Sequence, residues 1–403
     1  MKAIGIPRLA HRGSMLLSVA LLAVAGLAGA PVAAHAQFPT FIPMTYTPSG
    51  VAVDKTGNVY VSVREGARGV IWKYTPDGVA SPFADIGQAT IYGLAVTANG
   101  DVYAAMAAPG PERGIYRVDR KGNAERLPGT EQMILPNGLA FDDRGNLYVT
   151  ESFSMSTAGY GQGGIWRISP KGEAEVWLRD LLLTGIGLMK NPPMGANGIA
   201  YYHGDLYVTN TDKKLVVRIP VAKDGSAGPL EMWKELGEVP ESPLAGSPFP
   251  IMPDGLALDV HGNLYMTILT RNAVVRLMVD SKAQETVAVL GSPGPVPSAL
   301  FDTPASLAFG TGAGEQQNLF VTNLGWMVRF IPTGTWPGPA LVKVLAGVPA
   351  GRLSRRVEQN HSRRPVISGY GLSSRRSCRA GAAVQTSEPG GVRPQDTAFS
   401  RMS

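Results

Sequence analysis

One short pattern returns six times along this chain, and it restricts the fold more than any other feature. Each copy has an apolar pentad, a polar turn containing glycine, and a second strand carrying large apolar residues. The copies span Ser49–Val63, Tyr92–Met106, Asn137–Glu151, Asn197–Asn210 and Asp254–Ile268, with a degenerate sixth over Ala305–Asn323. Within a copy the apolar residues alternate, as Leu139, Phe141, Leu147 and Val149 do on either side of the Gly145-Asn146 turn. Period-two alternation interrupted by a Gly-Asn or Gly-Asp turn is the signature of a β-hairpin.

A third strand is predicted after each hairpin: Val70–Tyr74, Gly114–Val118, Gly164–Ile168, Leu215–Ile219, Ala273–Leu277 and Trp326–Ile331. A turn containing Pro or Gly then leads to a fourth, less regular strand such as Ala174–Leu178. Such a repeat suits a sandwich or a linear solenoid less well than blades. The expectation is an all-β fold, a six-bladed β-propeller of four-stranded antiparallel blades, over residues 37–351. Copies one and two lie 43 residues apart, from Gly50 to Gly93, and later spacings are 45, 60, 57 and 51. The added residues fall mainly in 151–163, 181–196, 237–253 and 291–304. Antiparallel alternation puts these loops on one face of the disc, and insertions gathered on one face mark a binding face.

The ends of the chain differ from the repeats. Lys2, Arg8 and Arg12 precede the apolar run Met15–Ala30, and Ala34-His35-Ala36 is a small-x-small cleavage site. Residues 1–36 therefore read as an export signal of the general secretory type, cut after Ala36. The run is too short and too near that site for a membrane span. The single cysteine, Cys378, lies far from it, so no lipid anchor is expected. A periplasmic or extracellular monomer is the expectation. One cysteine also excludes an internal disulfide or a thiolate metal site. Residues 352–403 hold ten arginines, no lysine and three acids, and the leader holds three basic residues. Of the net charge of +6, residues 37–351 thus keep about −4, with no electrostatic footprint for nucleic acid. The arginine-rich 352–403 has no apolar period and is predicted to be a disordered tail.

At the start of each first strand, on the insertion face, one residue precedes the glycine of the pentad and points to the central channel. These residues are Ser49, Tyr92, Asn137, Asn197, Asp254 and Ala305. Three consecutive blades deliver two amide oxygens and one carboxylate to one axis. Hard oxygen donors in a rigid ring suit Ca²⁺, or less specifically Mg²⁺ and Mn²⁺. Asn-Gly and Asp-Gly also make turns, but the turns of these copies lie elsewhere.

The motifs Pro136-Asn137-Gly138-Leu139, Ala196-Asn197-Gly198-Ile199 and Pro253-Asp254-Gly255-Leu256 resemble those of the gluconolactonase/regucalcin (senescence marker protein) family. The resemblance spans residues 45–350. It implies a six-bladed propeller that holds a divalent metal with Asn137, Asn197 and Asp254, where Asp254 also serves as general base or nucleophile. The family's first-blade Glu-Gly-Pro is replaced by Ser49-Gly50-Val51. Ser49 is thus a weak fourth ligand at best, and affinity should fall with the lost charge.

Other schemes fit poorly. His203 and His261 sit in turns between first and second strands, on the opposite face, which disfavours a Ser-His-Asp arrangement at the channel. Glu151, Asn210 and Asn323 end second strands on the channel face and are candidates, with Tyr92, for the funnel mouth. The loops over that face carry Leu183, Ile186, Leu188, Met189, Met194, Phe249, Ile251 and Met252. They pack as loops or form a pocket for a hydrophobic small molecule, with Met189 and Phe249 among its walls. The leading expectation is a metal-dependent hydrolase of a lactone or related ester. The alternative is a non-catalytic propeller that binds a small ligand or a protein on the same face.

Overall fold

The computed structural model describes residues 38–156, 159–188, 192–289, 301–326 and 336–349. The leader, the 352–403 tail and Met189 lie outside the described residues. Six four-stranded antiparallel sheets make the six blades, as the repeat predicts. Blade one holds Thr47–Val53, Val59–Glu65, Arg68–Tyr74 and Ala80–Gln88, and blade two Thr90–Val96, Val102–Ala107, Gly114–Val118 and Ala124–Arg126. Blade three holds Pro136–Phe141, Leu147–Glu151, Gly164–Ile168 and Ala174–Arg179, and blade four Ala196–Tyr202, Asp205–Asn210, Leu215–Pro220 and Glu231–Glu235. Blade five runs through Pro253–Leu258, Leu264–Ile268, Ala273–Leu277 and Gln284–Val289. First strands of successive blades touch one another in a closed circle.

Blade six departs from the expected order. Its first two strands are Pro304–Phe309 and Asn318–Asn323, but its third is Ala340–Leu345, not Trp326–Ile331, whose residues beyond Trp326 lie outside the described set. Its fourth strand comes from the other end of the repeat region: Phe41–Pro43 pairs with Val342–Ala340. Lys343 fastens this closure. Its backbone N–H donates to Thr40 O at 2.8 Å, and its Nζ donates to Phe38 O at 2.6 Å and pairs with Glu315 at 3.0 Å. The Phe38 ring packs edge-on against Phe320 at 4.7 Å.

In blades one, three and five an aspartate holds the hairpin turn between first and second strands. In blade three, Asp142 Oδ1 accepts from the backbone N–H of Arg144 and Asn146, and Oδ2 accepts from Asn146 Nδ2. Asp54 and Asp259 do the same in blades one and five. These self-capping turns explain the Asp-x-x-Gly-Asn spelling, because Asp accepts from the backbone two residues on and Gly supplies the positive φ. The core lies between blades. Tyr207, Trp233 and Val216 of blade four, for example, meet Leu256, Leu264 and Val275 of blade five. Equivalent clusters fill the other five gaps.

Candidate functional site

Every first strand carries a β-bulge at its start. In blade three Pro136 pairs with Glu151 and Leu139 with Val149, so Asn137 and Gly138 together oppose Thr150 alone. The same two-against-one register recurs at Ser49-Gly50, Tyr92-Gly93, Asn197-Gly198, Asp254-Gly255 and Ala305-Ser306. A bulge re-aims a side chain, and here it marks all six channel positions. The residue opposite each bulge is Ser62, Ala105, Thr150, Thr209, Thr267 or Thr322.

The five hydroxyls among these bind the ring together. Thr150 Oγ1 accepts the Gly138 N–H at 2.7 Å and donates to Asn197 O of the next blade at 2.6 Å. Thr209 does likewise for Gly198 N and Asp254 O, at 2.8 and 2.7 Å, and Thr267 for Gly255 N and Ala305 O. Thr322 closes the circle to Ser49 O, and Ser62 reaches Ile91 O. The glycines are needed for the same approach. A Cβ on Gly50, Gly93, Gly138, Gly198 or Gly255 would lie within 3 Å of the neighbouring blade's channel-residue carbonyl. Sequence reading missed this lacing, although the Thr or Ser at a fixed place in five second strands was its signal.

Two residues after the lacing position lies a second tier: Arg64, Ala107, Ser152, Thr211, Leu269 and Leu324. Ser152 and Thr211 hold the ring amides. Asn137 Nδ2 lies 3.4 Å from Ser152 Oγ, and Asn197 Nδ2 lies 2.9 Å from Thr211 Oγ1. Those hydroxyls donate in turn to Ala196 O and Pro253 O of the following blades, both at 2.8 Å. Asn137 and Asn197 are buried, and a face of Asp254 stays open to the channel. Protein surrounds that carboxyl densely enough that desolvation pushes it up to about 7, against a hydrogen bond from Asn197. Burial also raises the Tyr92 hydroxyl, with Arg64 lowering it and the Asp254 charge raising it, so the three share one electrostatic space. Ser49 joins the ring through its hydroxyl, which donates to Tyr92 O at 3.2 Å.

The opposite wall is apolar, where Leu269, Ala305 and Leu324 pack together with Met252 and Trp326. The channel mouth therefore has a polar arc on blades three to five and an apolar arc on blades five and six.

The donor set decides what the ring suits. With both amide nitrogens engaged by wall hydroxyls, the amide oxygens of Asn137 and Asn197 are left as ligand atoms beside the Asp254 carboxylate. Three hard oxygens match Ca²⁺ in kind, though one formal charge and three donors call for water to complete the shell and for modest affinity. Among the described residues no group of three or more His, Cys, Asp or Glu is assembled. Ser49 adds no charge.

The second-strand residues have other employment. Glu151 is fully buried and does not line the funnel. Its carboxylate accepts from Ile134 N at 2.6 Å and Trp166 Nε1 at 2.8 Å, and pairs with Arg179. Asn210 is buried as well, and its Nδ2 donates to Leu182 O and Thr184 O while its Oδ1 accepts from Lys213 N. Asn323 is buried at its strand end. Phe249 is half-buried, and its carbonyl accepts from Arg271 Nη1 at 3.1 Å. His203 and His261 occupy hairpin turns, away from the ring.

Residues 129–324 match the family model described as SMP-30/Gluconolactonase/LRE-like region. No curated protein sequence matches the chain. Among solved structures, a luciferin-regenerating enzyme shares 16% identity at a TM-score of 0.55, over 77% of this chain and 94% of that one. A calcium-binding protein, regucalcin, from Agrobacterium tumefaciens shares 17% at 0.52, over 78% and 96%. A gluconolactonase from Xanthomonas campestris shares 18% at 0.50, over 77% and 87%. At such identities the structural likeness speaks for the fold, and the family model adds the central blades that carry Asn137, Asn197 and Asp254. The chain is thus a six-bladed propeller whose residues 129–324 form an SMP-30/Gluconolactonase/LRE-like region.

Proposed function

We propose that this protein hydrolyses a lactone or related ester at the channel mouth, with Asp254 as general base. The observation that carries the reading is the convergence of the Asp254 carboxyl and the wall-held amides of Asn137 and Asn197 at the bulges of three successive blades, with desolvation raising the carboxyl to about 7 in the cation-free ring. A base poised near the working pH is what proton abstraction from water requires. Asp254 would take that proton as water attacks the carbonyl carbon, and return it to the alkoxide released when the ring C–O bond breaks. Asn137 and Asn197, fixed by Ser152 and Thr211, would orient the reacting group. Tyr92 and Arg64 would offer donors to developing negative charge from the far side of the channel. A divalent cation, Ca²⁺ in first place and Mg²⁺ or Mn²⁺ less specifically, would be held by Asn137, Asn197 and Asp254 and would polarise the carbonyl as a Lewis acid.

The test is an initial-rate screen of aliphatic lactones and aryl esters with Ca²⁺ or with chelator. Activity in the parent should fall by about 10²-fold or more in Asp254→Asn, and a parent without turnover on any member overturns the reading. A second reading, a non-catalytic propeller binding a small ligand, is favoured by one feature. Ser49 brings no carboxylate, and its hydroxyl is occupied with Tyr92 O. The basic–apolar–Ala34-His35-Ala36 leader supports export to the periplasm or medium. Recovery of uncleaved chain from the cytosol would refute that part.

A further inference from the structure

A groove of about 570 Å³ opens on the insertion face between blades four and five, beside the channel and not in it. Its lining is half apolar, from Ile186, Leu188, Leu215, Met232, Pro250 and Ile251, and half charged. That volume lies within the range of small-molecule sites. Two insertion loops form its sides, and each is pinned by a buried charge. Asp212 Oδ2 accepts from three backbone N–H groups of the first loop, Ile186 at 2.9 Å, Gly187 at 2.7 Å and Met194 at 3.1 Å. Arg271 holds the second loop through Glu238, Ser247 Oγ at 3.0 Å and Phe249 O. Both pins are almost fully buried. The described segments that carry Ile186, Gly187, Met194, Ser247 and Phe249 are thus held by the protein itself, while Ile186 and, on the fourth strand of blade four, Met232 remain 62% and 54% exposed.

The groove shares its rim with the channel. Asp212 follows Thr211, which holds Asn197, and Ile251 precedes Met252, which packs on the channel's apolar arc. Arg271 lies two residues beyond Leu269 of the same arc. Residues lining the two spaces are thus only one or two positions apart along the chain at three places.

We propose that this groove binds the apolar arm of the substrate, so that the preferred substrates are lactones or esters bearing an alkyl or aryl chain. Small, wholly hydrophilic lactones would be poor ligands. The inference rests on the hydrolase reading only for the word substrate, because the groove's preference is measurable without turnover. The charged half of the lining is already engaged, which leaves the apolar half for a neutral arm: Asp212 accepts its three backbone N–H groups, Lys213 Nζ donates to Leu181 O, Lys214 pairs with Glu235 at 3.0 Å and Arg271 with Glu238.

The experiment uses Asp254→Asn, which should not turn over, and measures binding of γ-valerolactone through γ-undecalactone by calorimetry. Affinity should rise about fourfold per added methylene until the groove is filled. Ile186→Glu and Met232→Glu, made separately in that background at exposed positions on different elements, should collapse the ratio of long-chain to short-chain affinity at least tenfold. Affinity independent of chain length, no binding at any length, or a ratio untouched by both variants would overturn the proposal. A chain-length slope in a protein that hydrolyses nothing would defeat the hydrolase reading alone. Turnover without a slope would defeat the groove alone.

Discussion

Replacing Thr209 by valine keeps the side chain's shape and removes its hydrogen-bonding atom. Thr209 is fully buried; its Oγ1 accepts the Gly198 N–H at 2.8 Å and donates to the Asp254 carbonyl at 2.7 Å. Valine leaves both groups without that partner. A buried polar group left unsatisfied costs about 1–3 kcal/mol, so two set the loss at about 2–6 kcal/mol. Blade two argues for the lower end, because Ala105 stands at the equivalent position and the ring closes there without a hydroxyl. The expected loss is thus about 2 kcal/mol. Thr209→Ser keeps the oxygen and gives up a methyl, about 0.8 kcal/mol. Urea titration reads the difference: both variants should share the parent's slope, with the valine midpoint clearly lower than the serine midpoint. A valine variant as stable as the parent, or a serine variant that falls as far as valine, would refute the idea that this hydroxyl laces blade four to blade five.

The ring and its closure give further tests. In calcium-free buffer the folded Asp254 holds its proton up to about 7, whereas an unfolded aspartate releases it near about 3.9. The folded state therefore binds the extra proton between those values, and stability should fall as pH rises from about 4 to about 7. Thermal melts across that range should show this slope in the parent and not in Asp254→Asn; equal slopes would place Asp254 outside the desolvated channel. Ser49→Glu should tighten Ca²⁺ at least tenfold by calorimetry, since affinity follows ligand charge, and should lower the melting temperature without Ca²⁺, where it faces Asp254. A variant indistinguishable from the parent in both states would mean that residue 49 does not face the cation. Deleting residues 38–44 removes the fourth strand of blade six and bares the edge at Ala340–Leu345. The shortened protein should melt more than about 5 °C lower and self-associate on size-exclusion chromatography, and a monomer with the parent's melting point would contradict the closure.

What the sequence made legible follows from how local each signal is. Hairpins announce themselves within fifteen residues, through alternation and a Gly-Asn or Gly-Asp turn, so five complete blades and the ring positions could be read directly. Closure could not. Phe41-Ile42-Pro43 is three residues long, and its partner Val342 lies some three hundred residues away, so no neighbouring pattern betrays the pairing. The third strand of blade six was expected at Trp326–Ile331 because that stretch alternates much as Ala340–Leu345 does, and alternation does not say which of two such stretches pairs with Asn318–Asn323. Glu151 and Asn210 were placed at the right strand ends but given the wrong surroundings. Their partners Arg179, Trp166 and Leu182 stand at no fixed spacing from them.

The bulge explains why the candidate site was nonetheless readable. At each channel position the second bulge residue is constrained by packing: a Cβ on Gly93 or Gly198 would meet the next blade's backbone carbonyl within 3 Å, so glycine is a steric requirement in five blades and Ser306 the exception. The residue opposite is constrained by hydrogen bonding, which calls for Ser or Thr in every blade but the second. The residue before the glycine has neither constraint. Its side chain enters the channel, and the fold is indifferent to whether it is Ser49, Tyr92, Asn137, Asn197, Asp254 or Ala305. A repeat that fixes two positions per blade and frees the one before the glycine separates stability from chemistry residue by residue. A carboxylate placed at the free position of blade one, in place of Ser49, should therefore change what the channel can bind while leaving the ring of bulges intact.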